Sequence, residues 1–429
     1  MPFPKVAMSM SARAFLIAGI LPAFVAILVF SYVPIGHAGQ GEGINPGPMS
    51  RQDAFKRAAA LAELGRKMFF DPALSASGQQ SCASCHDPAH AFGSPDAGPI
   101  EFGGPDLHLP GNRAIPSLRY LQAVPQFTEH YFESEDEADE SVDNGPTGGL
   151  TWDGRADSRT AQAAIPLLSP FEMANKNKAA VAETLSKSSY ADEMAALFGD
   201  GIFKRPDDAF SAALQAFDAF QESPKDFYPY SSRYDQWLAG KPILTQQELH
   251  GLQLFQDENK GNCSSCHVSE IANDGSPPQF SDFGYLSLAV PRNPAIPANA
   301  DTAYYDLGLC GPYRTDFKDR PEYCGLFRTP SLRNVALKKS FFHNGVFHSL
   351  RDAVAFYATR DTDPGRWYGK NADGSARSYN DLPEQYWKNI NQDPPFGRKP
   401  QGQPALTDSE IDDVVAFLKT LTDADLERH

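Results

Sequence analysis

Two copies of the pattern Cys-x-x-Cys-His, Cys82–His86 and Cys263–His267, constrain this 429-residue chain more than any other feature. In an exported chain the pattern signals covalent haem attachment. Two thiols add to the vinyl groups, and the adjoining histidine is placed to ligate the iron. Zinc also takes paired cysteines, but commonly with ~15–20 residues between the pairs, whereas 177 residues separate Cys85 from Cys263. A thioredoxin-like CxxC expects a βαβ context, and none is present. The reading is two covalently bound haem c groups, attached through Cys82, Cys85, Cys263 and Cys266, with His86 and His267 as proximal iron ligands.

Export is legible at the start of the chain. Lys5 and Arg13 precede an uncharged, mostly apolar run from Ala14 to Val33, and Gly36-His37-Ala38 places small residues at a cleavage site. Residues 1–38 read as a cleaved signal peptide, favoured over an uncleaved N-terminal anchor. The apolar run is long enough to span a bilayer, and its positive end stays inside. The expected location is the periplasm. The only membrane contact would be an anchor in the inner membrane. In that oxidising compartment the remaining cysteines, Cys310 and Cys324, read as a disulfide, whose 15-residue loop is worth ~3 kcal/mol by chain entropy. The formal net charge is −16. That argues against a nucleic-acid partner, which needs a basic face.

Similar segments precede the two motifs: "ALAELGRKMFFDPALSASGQQSCASCH" and "LTQQELHGLQLFQDENKGNCSSCH". Each runs from a helical apolar pattern through a glycine and an aromatic into a polar loop. One module is used twice, as domains over residues 50–235 and 240–425, with the boundary in "SPKDFYPYSSRYDQWLAGKP". Caps mark helices in the second module. Thr245 and Glu248 form a capping box, a Ser-x-x-Asp cap opens a helix at Ser349, and a Thr-x-x-Glu cap opens another at Thr407. Apolar residues 350, 354 and 357 share one face of the Ser349 helix. No alternating strands stand out, and 35 Pro with 33 Gly predict long irregular loops. The fold class is mostly α, with two cytochrome-c-like haem domains packed against each other. An acidic run, 133–140, reads as a solvated loop, with docking of a basic partner as the sharper alternative.

Axial ligands decide whether a haem carries electrons or reacts. The seven methionines all precede Cys263, the last being Met194. The second haem therefore has no methionine in its own module. His343, His348 and a tyrosine remain, and Tyr357 lies on the apolar face of its helix. A core tyrosine with a bonded hydroxyl is the plainer reading of that residue. Composition alone singles out neither Trp152 nor Glu172.

The chain resembles the di-haem cytochrome c peroxidase superfamily and, within it, the MauG-like branch (MauG or MbnH type). The resemblance covers roughly residues 50–425. It rests on the paired CxxCH motifs, on "WDGRADS" between them and on "FRTPSLRNVALKKSFFHNGVF". It implies an inter-haem tryptophan at Trp152. At ten, fourteen and twenty residues beyond, it implies a distal Gln162, Pro166 and distal Glu172. Fourteen residues after His343 it implies the axial ligand, methionine in ordinary peroxidases and tyrosine in MauG-like members. Here that residue is Tyr357.

The implied activity is that of a peroxide-dependent oxidoreductase. The N-terminal haem would activate hydrogen peroxide, Glu172 moving a proton and Gln162 orienting the oxidant. Trp152 would relay an oxidising equivalent to the C-terminal haem, for oxidation of a residue, such as Trp, on a partner protein. The alternative is peroxide reduction with electrons from a small cytochrome or copper protein. A plain electron carrier is disfavoured by Trp152, Gln162 and Glu172 together. The resemblance also implies one calcium ion, held by an Asn after an Arg and by two backbone carbonyls. The carbonyl positions are Lys338 and Ser340, but "GNRAIPS" puts Asn112 before Arg113 rather than after it. His108 is near the position of a removable distal histidine without being in register.

Overall fold

Glycine lets two helices touch backbone to backbone, and this chain uses the device once in each half. The computed structural model describes residues 49–131 and 145–427. The N-terminal segment 1–38 and the acidic run lie outside them. Eight helices of eight or more residues occur among the described residues: α1 (Arg51–Phe69), α2 (Arg159–Leu168), α3 (Lys178–Ser186), α4 (Ala191–Phe198), α5 (Pro206–Gln221), α6 (Gln246–Gln256), α7 (Leu350–Thr359) and α8 (Asp408–Lys419). Strands among the described residues are limited to two antiparallel pairs of two residues each. β1 (Phe102–Gly103) pairs with β2 (Leu109–Pro110), and β3 (Tyr285–Leu286) with β4 (Phe327–Arg328). The fold is mostly helical with long irregular connections. No helix of the described residues is long and apolar enough to cross a membrane.

Local signals set the helix starts. Thr245 and Glu248 close a capping box at α6, and Thr407 and Glu410 close one at α8. Ser349 accepts from the Asp352 amide at the start of α7. Each cap satisfies donors that the first helical turn leaves unpaired.

Packing then repeats. In the first half α1 crosses α5 at Gly65, where a Cβ would collide with the Ala216 carbonyl and lie 3.0 Å from Phe220 Cβ. In the second half α6 crosses α8 at Gly251, where a Cβ would collide with the Asp413 carbonyl and lie 3.0 Å from Phe417 Cβ. Each crossing supports a triangle of phenylalanines. Phe69, Phe92 and Phe220 have ring centroids 5.4–6.4 Å apart. Phe255, Phe280 and Phe417 have theirs 5.2–6.3 Å apart. Two separate apolar cores surround these triangles, one built from residues 64–227 and one from 234–421.

Buried charge joins the halves. The fully buried Asp423 accepts from Arg119 Nη1 (2.8 Å), the Tyr120 hydroxyl (2.6 Å) and Asn334 Nδ2 (2.7 Å). Arg113 binds Asp306 through two nitrogens and Asp153 through a third. Breaking one partner of such a buried set strands the other. Cys310 and Cys324 are joined in a disulfide beside this region.

The glycine crossings give a direct test. Gly65→Ala and Gly251→Ala should each lower stability by ~1–3 kcal/mol, because the methyl must push a backbone carbonyl away. The thermal midpoint of each variant measures this, and a midpoint equal to the parent's would remove the close-approach argument.

Candidate haem sites

Both CxxCH histidines are held in the same way. His86 Nδ1 lies 2.9 Å from the Phe92 carbonyl, and His267 Nδ1 lies 2.9 Å from the Phe280 carbonyl. A carbonyl only accepts, so Nδ1 carries the proton and Nε2 keeps its lone pair. Burial pushes both histidines down to about 4, which keeps the rings neutral at neutral pH. A neutral imidazole with a fixed tautomer and a free Nε2 is what an iron ligand requires. The four motif cysteines are free thiols, and burial pushes Cys82, Cys85 and Cys263 up to about 12 and Cys266 to about 11. These donor sets suit thioether attachment and axial ligation of a haem at each site.

The carbonyls that hold the histidines are themselves held by a repeat which motif reading missed. Pro116-Ser117-Leu118-Arg119 and Pro330-Ser331-Leu332-Arg333 are the same tetrapeptide. The Leu118 and Leu332 amides donate to the Phe92 and Phe280 carbonyls at 3.1 and 3.3 Å. The Ser117 and Ser331 hydroxyls donate to the preceding carbonyls, Ala91 and Gln279. Arg119 then pairs with Asp423 and Asp425, and Arg333 with Asp235. The signal was present as a second internal repeat about 34 residues after the first motif and 67 after the second.

The second site opens on a cavity of about 570 Å³, whose wall includes Cys263, Cys266, His267, Tyr357, His343 and Trp152. Tyr357 projects from α7 beside Phe342 and Phe396. Its hydroxyl has no hydrogen-bond partner among the described residues. The buried tyrosines Tyr120, Tyr234, Tyr285 and Tyr368 each donate to a carboxylate or carbonyl. Burial raises the Tyr357 pKa, and the Cys266 and Cys263 sulfurs add to the rise. His343 belongs to another part of the wall. It stacks on Phe327 at 3.6 Å between centroids, and its charge neighbours are Asp306 and Arg113. His348 is exposed and faces the Lys339 carbonyl.

Trp152 lines the same cavity. Its indole nitrogen donates to the Ala114 carbonyl at 2.8 Å. The following residue, Asp153, is fully buried. Burial alone would raise its pKa, but Arg113 and Arg155 outweigh it and hold the carboxyl below the ordinary range. Gly154 keeps a positive φ, and a side chain there would strike the Tyr285 hydroxyl.

Glu172 lines a second, smaller cavity with Gln80, Cys85, Arg155 and Tyr313. The turn after α2 carries it, the Glu172 amide donating to the Ser169 carbonyl. Gly103 of β1 lets that strand approach to 2.9 Å from the Glu172 Cα at a Cβ position, and the Gly104 amide donates to the Glu172 carbonyl. Glu172 Oε2 is buried without a partner, and burial raises the carboxyl to about 7. Gln80, which the motif reading did not single out, leaves its own Oε1 unpartnered on the same wall.

Gln162 and Pro166 sit one turn apart on α2 and are half-buried, but neither lines the cavity of Glu172. Pro166 brings no N–H, so the Gln162 carbonyl loses its helical donor. His108 is exposed in the β1–β2 connection. The candidate calcium donors are divided between the two cavity walls. Asn112 lines the Glu172 cavity and donates to the Tyr313 hydroxyl, whereas Lys338 and Ser340 line the larger cavity.

Residues 59–242 match the family model described as di-haem cytochrome c peroxidase. The chain is 34% identical to the methylamine utilization protein MauG of Paracoccus denitrificans, over 85% of this chain and 89% of that one. It is 28% identical to a cytochrome c551 peroxidase of Nitrosomonas europaea, over 69% and 72%. The crystal structure of the diheme peroxidase BthA from Burkholderia thailandensis superposes with a TM-score of 0.75 at 42% identity, covering 85% of this chain and 86% of that one.

The Glu172 carboxyl makes stability depend on pH. Its folded pKa of about 7 stands above the ordinary 4.5. Folding therefore takes up a proton between those values, and the resulting stabilisation, complete in acid, is lost as pH rises through about 7. Glu172→Gln is neutral throughout and escapes the loss. Its thermal midpoint relative to the parent should climb from pH ~4.5 to about 7 and then level off. A difference independent of pH would mean an ordinary carboxyl at this position.

Proposed function

This chain belongs to the di-haem cytochrome c peroxidase family, and on that premise we propose that it uses hydrogen peroxide at the His86 site to oxidise a residue, Trp foremost, of a partner protein through a His267/Tyr357 site. Family membership makes it a peroxide-dependent di-haem oxidoreductase with two haem c groups. Its two halves, 50–235 and 240–425, act as one haem domain each, a division supported by the two apolar cores. The CxxCH motifs, the disulfide and the apolar start support a periplasmic location.

Haem iron, when bound, supplies the redox chemistry with peroxide. The chain's own residues do the rest. Cys82 and Cys85 hold one group and Cys263 and Cys266 the other. His86 and His267 present Nε2 to the iron because their Nδ1 protons are committed to Phe92 and Phe280. Glu172 Oε2 holds or gives up a proton in a cavity beside Cys85. A carboxyl near pKa 7 can do either at neutral pH. Gln162 is assigned to orient peroxide and Pro166 to shape its helix. Trp152, fixed on Ala114, is assigned the relay toward the second site.

One observation carries the protein-oxidising reading. Tyr357 turns an unbonded hydroxyl into the cavity of His267, in a module without methionine. A phenolate ligand donates charge and favours the oxidised iron over the reduced one. Such a site is a poor entry point for electrons. The second reading, peroxide reduction fed by a small cytochrome or copper protein, draws support from the likeness to a cytochrome c551 peroxidase.

Pyridine haemochrome assay with intact mass should find two covalent haems per chain. Tyr357→Phe should change the low-spin signal of one haem in the electron paramagnetic resonance spectrum and leave the other. An unchanged spectrum would make Tyr357 a packing residue and move the assignment to electron-fed peroxide reduction. Glu172→Gln should retain both haems yet react with peroxide ~10²–10⁴-fold more slowly. A stopped-flow rate equal to the parent's would remove Glu172 from the chemistry.

A further inference from the structure

The wall of the larger cavity carries two cations with no carboxylate partner among the described residues, the buried Arg328 and the half-buried Lys338. Arg328 donates through Nε to the Thr151 carbonyl. Lys338 donates through Nζ to the Ile115 carbonyl at 3.4 Å. An unpaired buried ammonium is costly, and such groups normally meet a counter-charge.

Lys338 is singular in its neighbours. Ile115 follows Ala114, whose carbonyl takes the Trp152 indole. The Ala114 amide in turn donates to the His343 carbonyl at 2.8 Å. Consecutive carbonyls of one segment, Ala114 and Ile115, therefore bind the indole and the ammonium. Lys338 also bears electrostatically on His86, lowering that ring's proton affinity. Yet its side chain lines the cavity that contains His267 and Tyr357. The ammonium thus lies between the two CxxCH sites, beside the tryptophan assigned to the relay.

A calcium ion does not fit the same place. Residue 114, directly after Arg113, is alanine and brings no side-chain donor. Asn112 belongs to the other cavity and is committed to Tyr313. A calcium bound at the Lys338 carbonyl would also face that residue's own positive charge.

We propose that the ammonium of Lys338 is the resident cation between the two haem sites, and that this chain works there without calcium. The inference rests on two haems being bound, as family membership states, but not on what the enzyme oxidises. Lys338 is a positioning residue. It fixes a positive charge against the Ala114–Ile115 segment, and so sets the potential felt at both sites.

The test uses the two-haem holoenzyme. Elemental analysis should find calcium far below one per chain. EGTA treatment, or added calcium chloride, should leave the electron paramagnetic resonance spectrum and both reduction potentials unchanged. Lys338→Met removes a positive charge. Oxidised iron, the more positive state, then becomes easier to reach, so the potential of at least one haem should fall. Lys338→Arg should keep the parent's values. Stoichiometric calcium whose removal alters either haem would overturn the proposal. So would a folded Lys338→Met protein with both potentials unchanged. If Lys338→Met fails to load haem, the calcium content and chelation results on the parent still decide. Absence of the haems themselves would show in the haemochrome assay, separately from every calcium result.

Discussion

Two carbonyl oxygens, those of Phe92 and Phe280, carry the arrangement on which the rest depends. Each accepts from a histidine Nδ1 and from a leucine amide. The histidine bond selects the tautomer that leaves Nε2 free. The leucine bond ties the carbonyl to a Pro-Ser-Leu-Arg segment, whose arginine reaches a carboxylate, the buried Asp423 or the half-buried Asp235. The Phe side chain at each carbonyl is one corner of the aromatic triangle under a glycine crossing. Ligand orientation, core packing and helix contact are therefore linked through one residue in each half. A shift of the helices would be felt at the ring.

On this duplicated frame the two sites differ by what surrounds them. The first places a carboxyl of raised pKa beside the motif cysteine Cys85, in a small cavity where one of its oxygens is buried without a hydrogen-bond partner. The second has a wide cavity and a phenol with no bonded hydroxyl. The proposed division of labour, proton handling in one half and charge donation in the other, follows from that difference. Between them lie Trp152, Lys338 and the Ala114–Ile115 segment, which the Lys338 ammonium and the His343 carbonyl bond from the other half.

Local chemistry was readable where it depends on a few neighbouring residues. The capping boxes at Thr245 and Thr407 need only four consecutive residues. The repeated glycine before an aromatic was visible as a pattern, but its function as a backbone contact appears only when α5 and α8 lie against it. Offsets from Trp152 bring Glu172 to a cavity wall, whereas Gln162, on the preceding helix, lies off that wall. A linear offset says nothing about how the helix is rotated. Lys338 was read as a position whose side chain hardly matters. Its carbonyl was the expected donor, and only folding shows the ammonium turned inward to Ile115.

The sequence by itself determined the two CxxCH motifs with their cysteines and adjoining histidines, the similar segments that precede them and the lack of any methionine after Cys263. Each of these is covalent or local, so chain order is enough to specify it. Tertiary structure decided which polar groups find partners: Glu172 Oε2 and the Tyr357 hydroxyl bond to nothing among the described residues, and the Lys338 ammonium meets a backbone carbonyl but no carboxylate. Whether a polar atom finds a partner depends on segments more than a hundred residues away. Burial without a partner is what turns an ordinary carboxyl, phenol or amine into a group with a shifted proton affinity and an uncompensated charge.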